Sequence, residues 1–97
     1  MAKEIKWSPR AMKGLEEICN FISQDSPHYS AVFAKRIFSI IQGIPDFPYA
    51  GRMVPEYGIG NLREKLYQDY RIVYRIKKDA IEIAAITHGA RILKDIR

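Results

Sequence analysis

Cysteine is nearly missing from this chain: Cys19 stands alone among 97 residues. No disulfide can close within the chain, which fits a reducing compartment and leaves stability to packing. One domain, spanning residues 1–97, buries enough surface at this length without cross-links or a metal. No apolar run approaches the roughly 20 residues of a membrane helix. The opening Met-Ala-Lys-Glu-Ile-Lys also lacks the apolar core of a signal peptide. A cytoplasmic protein without membrane contact is the expectation. There is no glycine-rich phosphate loop, no H-x-x-x-H metal pair and no serine elbow, and His28 and His88 stand far apart in different elements. No cofactor and no metal are expected. Acidic residues are the minority, 11 against 16 Lys plus Arg, for a net charge of +5. That balance attracts an anionic partner, nucleic acid or an acidic protein segment, although plain solubility has the same signature.

What is present reads as strand, helix, helix and three strands. Residues 3–7, Lys-Glu-Ile-Lys-Trp, form a short first strand. Ser8-Pro9 is a helix start: serine accepts a hydrogen bond from a first-turn amide, and proline gives up an amide that had no partner. Met12, Leu15, Ile18, Cys19 and Ile22 follow at helical spacing, with Lys13, Glu16, Glu17 and Asn20 opposite, predicting a helix over about 9–24. Cys19 is expected to be a buried small apolar residue on its inner face. Ser26-Pro27 repeats the signal, and Val32, Phe33, Ile37, Ile40, Ile41 and Ile44 give the second helix a broad stripe ending near Gly43, before Pro45. So short a link makes the pair a helical hairpin, which needs a sheet to pack on. Residues 45–60 hold three prolines and three glycines, which argues against a regular element. Phe47, Tyr49 and Val54 can anchor this loop, which either carries function or only crosses from helices to sheet.

The three strands begin with Asn61–Tyr67, followed by a turn at Gln68-Asp69. A two-residue turn would set Leu66 against Arg71; a shift by one sets Leu66 against Ile72 and is preferred, through a three-residue turn or bulge. The next strand alternates Tyr70, Ile72, Tyr74, Ile76 with Arg71, Val73, Arg75, Lys77, so one face should meet a core and the basic face water or a partner. A two-residue turn at Lys78-Asp79 pairs Ile76 with Ile81, Tyr74 with Ile83 and Arg75 with Glu82, making Ile81, Ile83 and Ala85 the matching apolar set. Gly89 allows a sharp backbone turn. Residues 92–97 extend the last strand or add a terminal turn. These short connections make the last three strands an antiparallel meander and the fold α+β.

The chemistry-bearing residues form a basic cluster. Arg71 and Arg75 share a strand face, Arg63 and Lys65 lie on the neighbouring strand, and antiparallel pairing brings Arg71, His88 and Arg91 to one end of the sheet. Guanidinium groups bind phosphate bidentately and stay charged. His88 either shuttles a proton or braces the turn through a backbone hydrogen bond. Arg75 is read as paired to Glu82, whereas Arg71 and Arg91 are read as exposed functional groups that can be replaced without loss of fold.

The segments W-S-P-R-A, L-E-E-I, A-G-R-M-V-P-E, L-R-E, Y-R-I-V-Y-R-I and H-G-A-R occur in an order that resembles the RelE/ParE superfamily of toxins from bacterial type II toxin–antitoxin systems. The resemblance covers almost the whole chain. It implies a helical hairpin on a mainly antiparallel sheet. It also implies a growth inhibitor held inactive in a hetero-oligomer with a cognate antitoxin, which wraps the toxin with an amphipathic helix and an added strand. RelE-like members cleave mRNA on the ribosome with basic residues and often a C-terminal tyrosine. Arg71 and Arg91 match two arginines of that set, with His88 the further catalytic candidate. Leu62 and Glu64 stand where RelE has a lysine pair, and no tyrosine follows Arg91. ParE-like members act on DNA gyrase without a nuclease centre, and the H-G-A-R and G-R-M-V-P-E segments are closer to that branch. The resemblance therefore favours a non-enzymatic, ParE-like toxin, with Arg63, Lys65, Arg71, Arg75 and Arg91 as target- or phosphate-binding residues. The alternatives are a metal-independent, RelE-like endoribonuclease and a non-toxic module that only binds antitoxin.

Overall fold

The computed structural model of the chain describes residues 3–96. Strand β1 (Glu4–Trp7) leads into helices α1 (Pro9–Ser23) and α2 (Pro27–Gly43), followed by β2 (Arg52–Met53), β3 (Leu62–Tyr67), β4 (Tyr70–Ile76) and β5 (Ala80–His88). The strands make one sheet in the order β1-β5-β4-β3-β2. β1 runs parallel to β5, and every other pair is antiparallel. This is the expected α+β arrangement of a helical hairpin and an antiparallel meander. The loop after α2 is more ordered than its prolines and glycines suggested: it holds two 3-10 turns, Ile44–Asp46 and Pro48–Ala50, and the edge strand β2. Pro45 and Pro48 lie in the first turns of these short helices, where a missing amide costs nothing.

Both helix starts are as read. The Ser8 hydroxyl accepts from the Ala11 amide at 3.0 Å and donates to the Ala84 carbonyl at 3.0 Å, so one side chain caps α1 and fastens it to β5. Ser26 accepts from the Tyr29 amide at 3.0 Å, and Ser30 donates to the Cys19 carbonyl at 2.7 Å, joining the two helices. The inner stripe of α1 differs from the expected one. Ala11 and Leu15 are buried, Met12 is 60% exposed and Cys19 is half-buried. The cause is Gly14, where a Cβ would stand 2.3 Å from the Ile86 carbonyl oxygen. The helix backbone rests on β5 at that point, and small residues rather than Met12 face the sheet. From α2, Phe33, Ile37 and Ile41 join Ile72, Tyr74, Ile76, Ile81, Ile83 and Ile86 in the main core.

Two registers decide what the sheet presents. Between β4 and β5 the pairs Ile76–Ile81, Arg75–Glu82 and Tyr74–Ile83 are as expected, but a bulge then sets Val73 against Ala85. The bulge reverses the alternation, so Ala85 joins a second core and Ile86 takes its place on the helix side. Between β3 and β4 the preferred shift does not occur. Leu66 pairs with Arg71 and Tyr67 with Tyr70, through a two-residue turn in which Gln68 takes a φ of 53°. Leu66 is left 53% exposed; the register is set by Leu62 and Glu64, which are buried on the same strand face.

That face is the largest departure from expectation. The Arg71–Val73–Arg75 side of β4 does not meet water: Val54, Leu62, Val73, Ala84, Ala85, Leu93 and Ile96 form a second core over it, with Tyr57 packed alongside. Residues 91–96 neither extend β5 nor form a helical turn; they cross the back of the sheet as irregular chain. Arg97, the end of the expected tail, lies outside the described residues.

Replacing Gly14 with alanine should raise helix propensity by about 1 kcal/mol yet destabilise the protein by about 1–3 kcal/mol, because α1 must lift from β5. Urea unfolding measures the net change; a Gly14→Ala variant at least as stable as the parent would refute the close approach.

Candidate functional site

The basic cluster expected at one end of the sheet divides between its two faces. Arg71 points into the back of the sheet and is 4% exposed. Its Nε donates to Glu64 at 2.7 Å. Nη1 donates to Glu56 at 2.7 Å and to the Arg91 carbonyl at 3.2 Å. Nη2 donates to Glu56 at 2.8 Å and lies 2.7 Å from Glu64. Four hydrogen bonds and this further ion-pair contact engage all three nitrogens of the guanidinium. Glu64, whose side chain is fully buried, also pairs with Arg52, and Glu56 accepts the Leu93 amide at 3.1 Å. The expectation that Arg71 is exposed is therefore corrected. Its charge is buried because two carboxylates and a carbonyl meet it, and none of its donors is free for a phosphate.

The other predicted residues are placed as follows. Arg75 pairs with Glu82 at 3.6 Å, as read, and also donates to the Ile96 carbonyl. Arg63 and Lys65 lie on the opposite face from Arg71, against Tyr74 and Ile72. Arg63 clamps the preceding loop by donating to the Gly60 carbonyl at 2.8 Å and the Gly51 carbonyl at 3.1 Å, and it covers the Tyr49 ring at 5.2 Å. Lys65 makes no ion pair among the described residues. His88 braces its turn: Nδ1 accepts the Ala90 amide at 3.1 Å, and the ring packs edge-on to Tyr70 with centroids 5.5 Å apart. An accepting Nδ1 leaves Nε2 as the nitrogen that can donate. Gly89 serves close approach rather than a left-handed turn, since its amide donates to the Asp69 carbonyl at 2.7 Å and a Cβ would stand 3.1 Å from that oxygen.

Arg91 alone of the predicted arginines is free. It is exposed, and among the described residues its guanidinium makes no hydrogen bond or ion pair. It lines a cleft of about 270 Å³ between α1 and the end of β5, together with Gly14, Glu17, Phe21, Tyr70 and His88. Phe21 is 66% exposed at its rim. The cleft thus combines a free cation, an imidazole and an aromatic anchor, a set suited to holding an acidic or aromatic element of a partner surface.

Sequence reasoning gave Glu56 no role and did not pair Glu64 with Arg71. Glu64 had a signal: it shares the inward face of β3 with Leu62, and in a two-residue hairpin it lies diagonal to Arg71. Glu56, in an irregular loop, had none.

The hydrogen bonds from Arg71 hold the Glu56 carboxyl down from 4.5 to about 2, against the opposing effect of burial. The same bonds, Glu56 first and Glu64 after it, push the Arg71 guanidinium further up. Because the Glu56 value is lower in the folded state, its stabilisation is complete above about 4.5 and is lost as pH falls towards about 2. Stability measured by denaturant titration should fall across that window, and Glu56→Gln should flatten the fall; an unchanged slope would refute the assignment. Arg71→Met should cost about 3 kcal/mol or more, since it strips Glu64 and Glu56 of their buried partner. A fully stable Arg71→Met variant would show that the network contributes nothing to folding.

Residues 5–93 match the family described as the ParE toxin of type II toxin–antitoxin system, parDE. A Sinorhizobium fredii protein named "Putative toxin Y4kP" is 34% identical over 89 residues, covering 90% of this chain and 88% of that protein. Among solved structures, the chromosomal ParDE TA system from P. aeruginosa superposes with a TM-score of 0.73 at 17% identity, over 90% of this chain and 96% of that one. The RelBE2 toxin–antitoxin complex from Mycobacterium tuberculosis superposes with a TM-score of 0.58 at 15% identity, over 91% and 99%. At those identities the superpositions speak for the fold, and the family assignment rests on the sequence matches. The chain belongs to the ParE toxin family of type II toxin–antitoxin systems.

Proposed function

We propose that this toxin arrests growth by binding DNA gyrase rather than by cutting RNA, and that a cognate antitoxin neutralises it by occupying its surface. The observation that carries the reading is the fate of Arg71. A metal-independent ribonuclease needs one group to take the 2′-hydroxyl proton, another to protonate the leaving oxygen, and cations to hold the phosphate. Arg71 spends every donor on Glu56, Glu64 and the Arg91 carbonyl. Lys65 belongs to β3, level with Ile86, and β4 separates it from His88 on β5, which puts about 12 Å between their backbones. His88 and Arg91 remain as a pair able to make contacts but too few to complete both proton transfers and hold the phosphate.

The antitoxin part of the reading is supported by an apolar groove of about 500 Å³ between the helices and β1, lined by Trp7, Met12, Leu15, Cys19 and Phe38, with Glu16 at its side. Phe38 is 46% exposed there and packs on Trp7 at 5.4 Å. An amphipathic helix presenting apolar residues at every third or fourth position fits such a groove.

With purified toxin freed of antitoxin, gyrase supercoiling should be inhibited and gyrase-linked DNA breaks should accumulate, while ribosome-bound mRNA stays intact. Arg91→Ala should weaken that inhibition by about tenfold or more, the loss of one well-placed interface arginine, without changing the unfolding midpoint. Codon-phased mRNA cleavage with unaffected gyrase would overturn the reading in favour of an endoribonuclease. No growth arrest at all would make the chain a non-toxic antitoxin-binding module.

A further inference from the structure

We infer that Glu56 and Arg71 are positioning residues for Arg91: they hold the C-terminal segment on the back of the sheet so that the Arg91 side chain is presented at the α1–β5 cleft. The inference rests on the reading above in which Arg91 contacts the target. Residues 91–96 have no regular secondary structure, and side chains from other parts of the fold hold their backbone. Arg71 donates to the Arg91 carbonyl at 3.2 Å, and Glu56 accepts the Leu93 amide at 3.1 Å. Tyr57 donates to the Leu93 carbonyl at 3.1 Å, Arg10 donates to the Lys94 carbonyl at 2.7 Å, and Arg75 holds the Ile96 carbonyl. Leu93 and Ile96 are buried beneath these bonds.

The first two contacts have a particular consequence. They fix the main chain on both sides of Ile92, at the carbonyl of the residue whose side chain reaches round to the other face. Glu56 joins them, because its two oxygens take Arg71 bidentately while one also takes the Leu93 amide. Without the carboxylate, Arg71 still has Glu64, but the Leu93 amide loses its acceptor. The main chain at 91–93 is then free to move, and Arg91 no longer arrives at the cleft in one orientation. A side chain that must be ordered on binding gives up part of its contribution to that ordering.

Glu56→Ala tests this in the whole chain, because the Glu56 side chain is partly exposed, alanine leaves no acceptor for the Leu93 amide, and Glu64 stays on Arg71. Two readouts are needed: exchange of the Leu93 amide against the β4 amides, and the expression level at which induced cells stop growing. The Leu93 amide should exchange about tenfold faster or more while β4 stays protected. The expression needed for arrest should rise towards that of Arg91→Ala, and Glu56→Ala combined with Arg91→Ala should be no weaker than Arg91→Ala alone, because the two act through one contact. Tyr74→Phe, which removes a hydroxyl bonded to the Pro48 carbonyl at 2.6 Å, controls for lost stability and should change neither readout. Unchanged Leu93 exchange, faster exchange with full potency, or losses that simply multiply in the double variant would each overturn the inference. Full potency in Arg91→Ala would instead remove the reading beneath it, and the functional half of the inference with it, whatever the Leu93 amide does.

Discussion

Burying the Arg71 guanidinium is the constraint on which the back of this protein depends. Removing an ion from water costs several kcal/mol even after relaxation, so a buried arginine survives only where each donor is met and the opposite charge is at hand. Here the answering groups come from separate stretches of chain: Glu64 from β3, Glu56 from the loop before it, and the Arg91 carbonyl from the tail. Arg52 on the edge strand β2 meets the remaining oxygen of Glu64. The loop and the tail, which are irregular chain at these positions, are thereby brought to one point with the neighbouring strands β2, β3 and β4. Hydrophobic burial alone would not specify this arrangement, because apolar contact is non-directional, whereas a guanidinium fork accepts few geometries.

The consequence is a sheet with two cores in a small chain. A sheet with one solvated face would leave this protein only the core under the helices. The loop and tail add Val54, Leu93 and Ile96 over Val73 and Leu62, so the central strands β4 and β5 are covered on both sides. The bulge in β5 serves both layers. By setting Ala84 and Ala85 towards the back and Ile86 towards the helices, it places two small residues under the tail and a large one where α1 crosses. It also turns the Ala84 carbonyl towards Ser8, so the irregularity in the sheet becomes the attachment point of the first helix.

The front half of this architecture was legible because its signals are local. Ser-Pro pairs start both helices, and period-two alternation and a two-residue turn gave the β4–β5 pairing up to the bulge. The back half was not, because an arginine on an alternating strand reads as a solvent-facing residue unless its partners are known, and those partners lie in irregular chain. Two signals were nonetheless present. The spacing from Ile83 to Ile86 is odd, so strict alternation cannot put both on one face, and a bulge between them is required. Glu64 sits between Leu62 and Leu66 on one strand face, and the register that exposes Leu66 is the one that brings Glu64 within reach of Arg71. Preferring to bury Leu66 chose the wrong register because it weighed one apolar side chain above an ion pair. Arg91 and His88 came out near each other because antiparallel pairing and one short turn determine their positions.

The same arginine bears on how a toxin of this family works. In a nuclease, a guanidinium of this kind would be kept free for the phosphate, held by a few bonds at its rear and open at its front. In this chain the front of Arg71 is closed by Glu56, a residue from the loop, and the charge has become a fastening for the tail. On the proposed function, the group left to meet a target is Arg91, carried by that tail and set beside His88 and the exposed Phe21. Under that proposal such a set gains its effect from shape and charge complementarity, with no proton transfer. It depends instead on how firmly the carrying segment is held, because that segment has no helix or strand of its own to order it. The proposed positioning role makes the buried network and the exposed cleft two ends of one arrangement, in which the charge removed from the surface at Arg71 holds the main chain that carries Arg91.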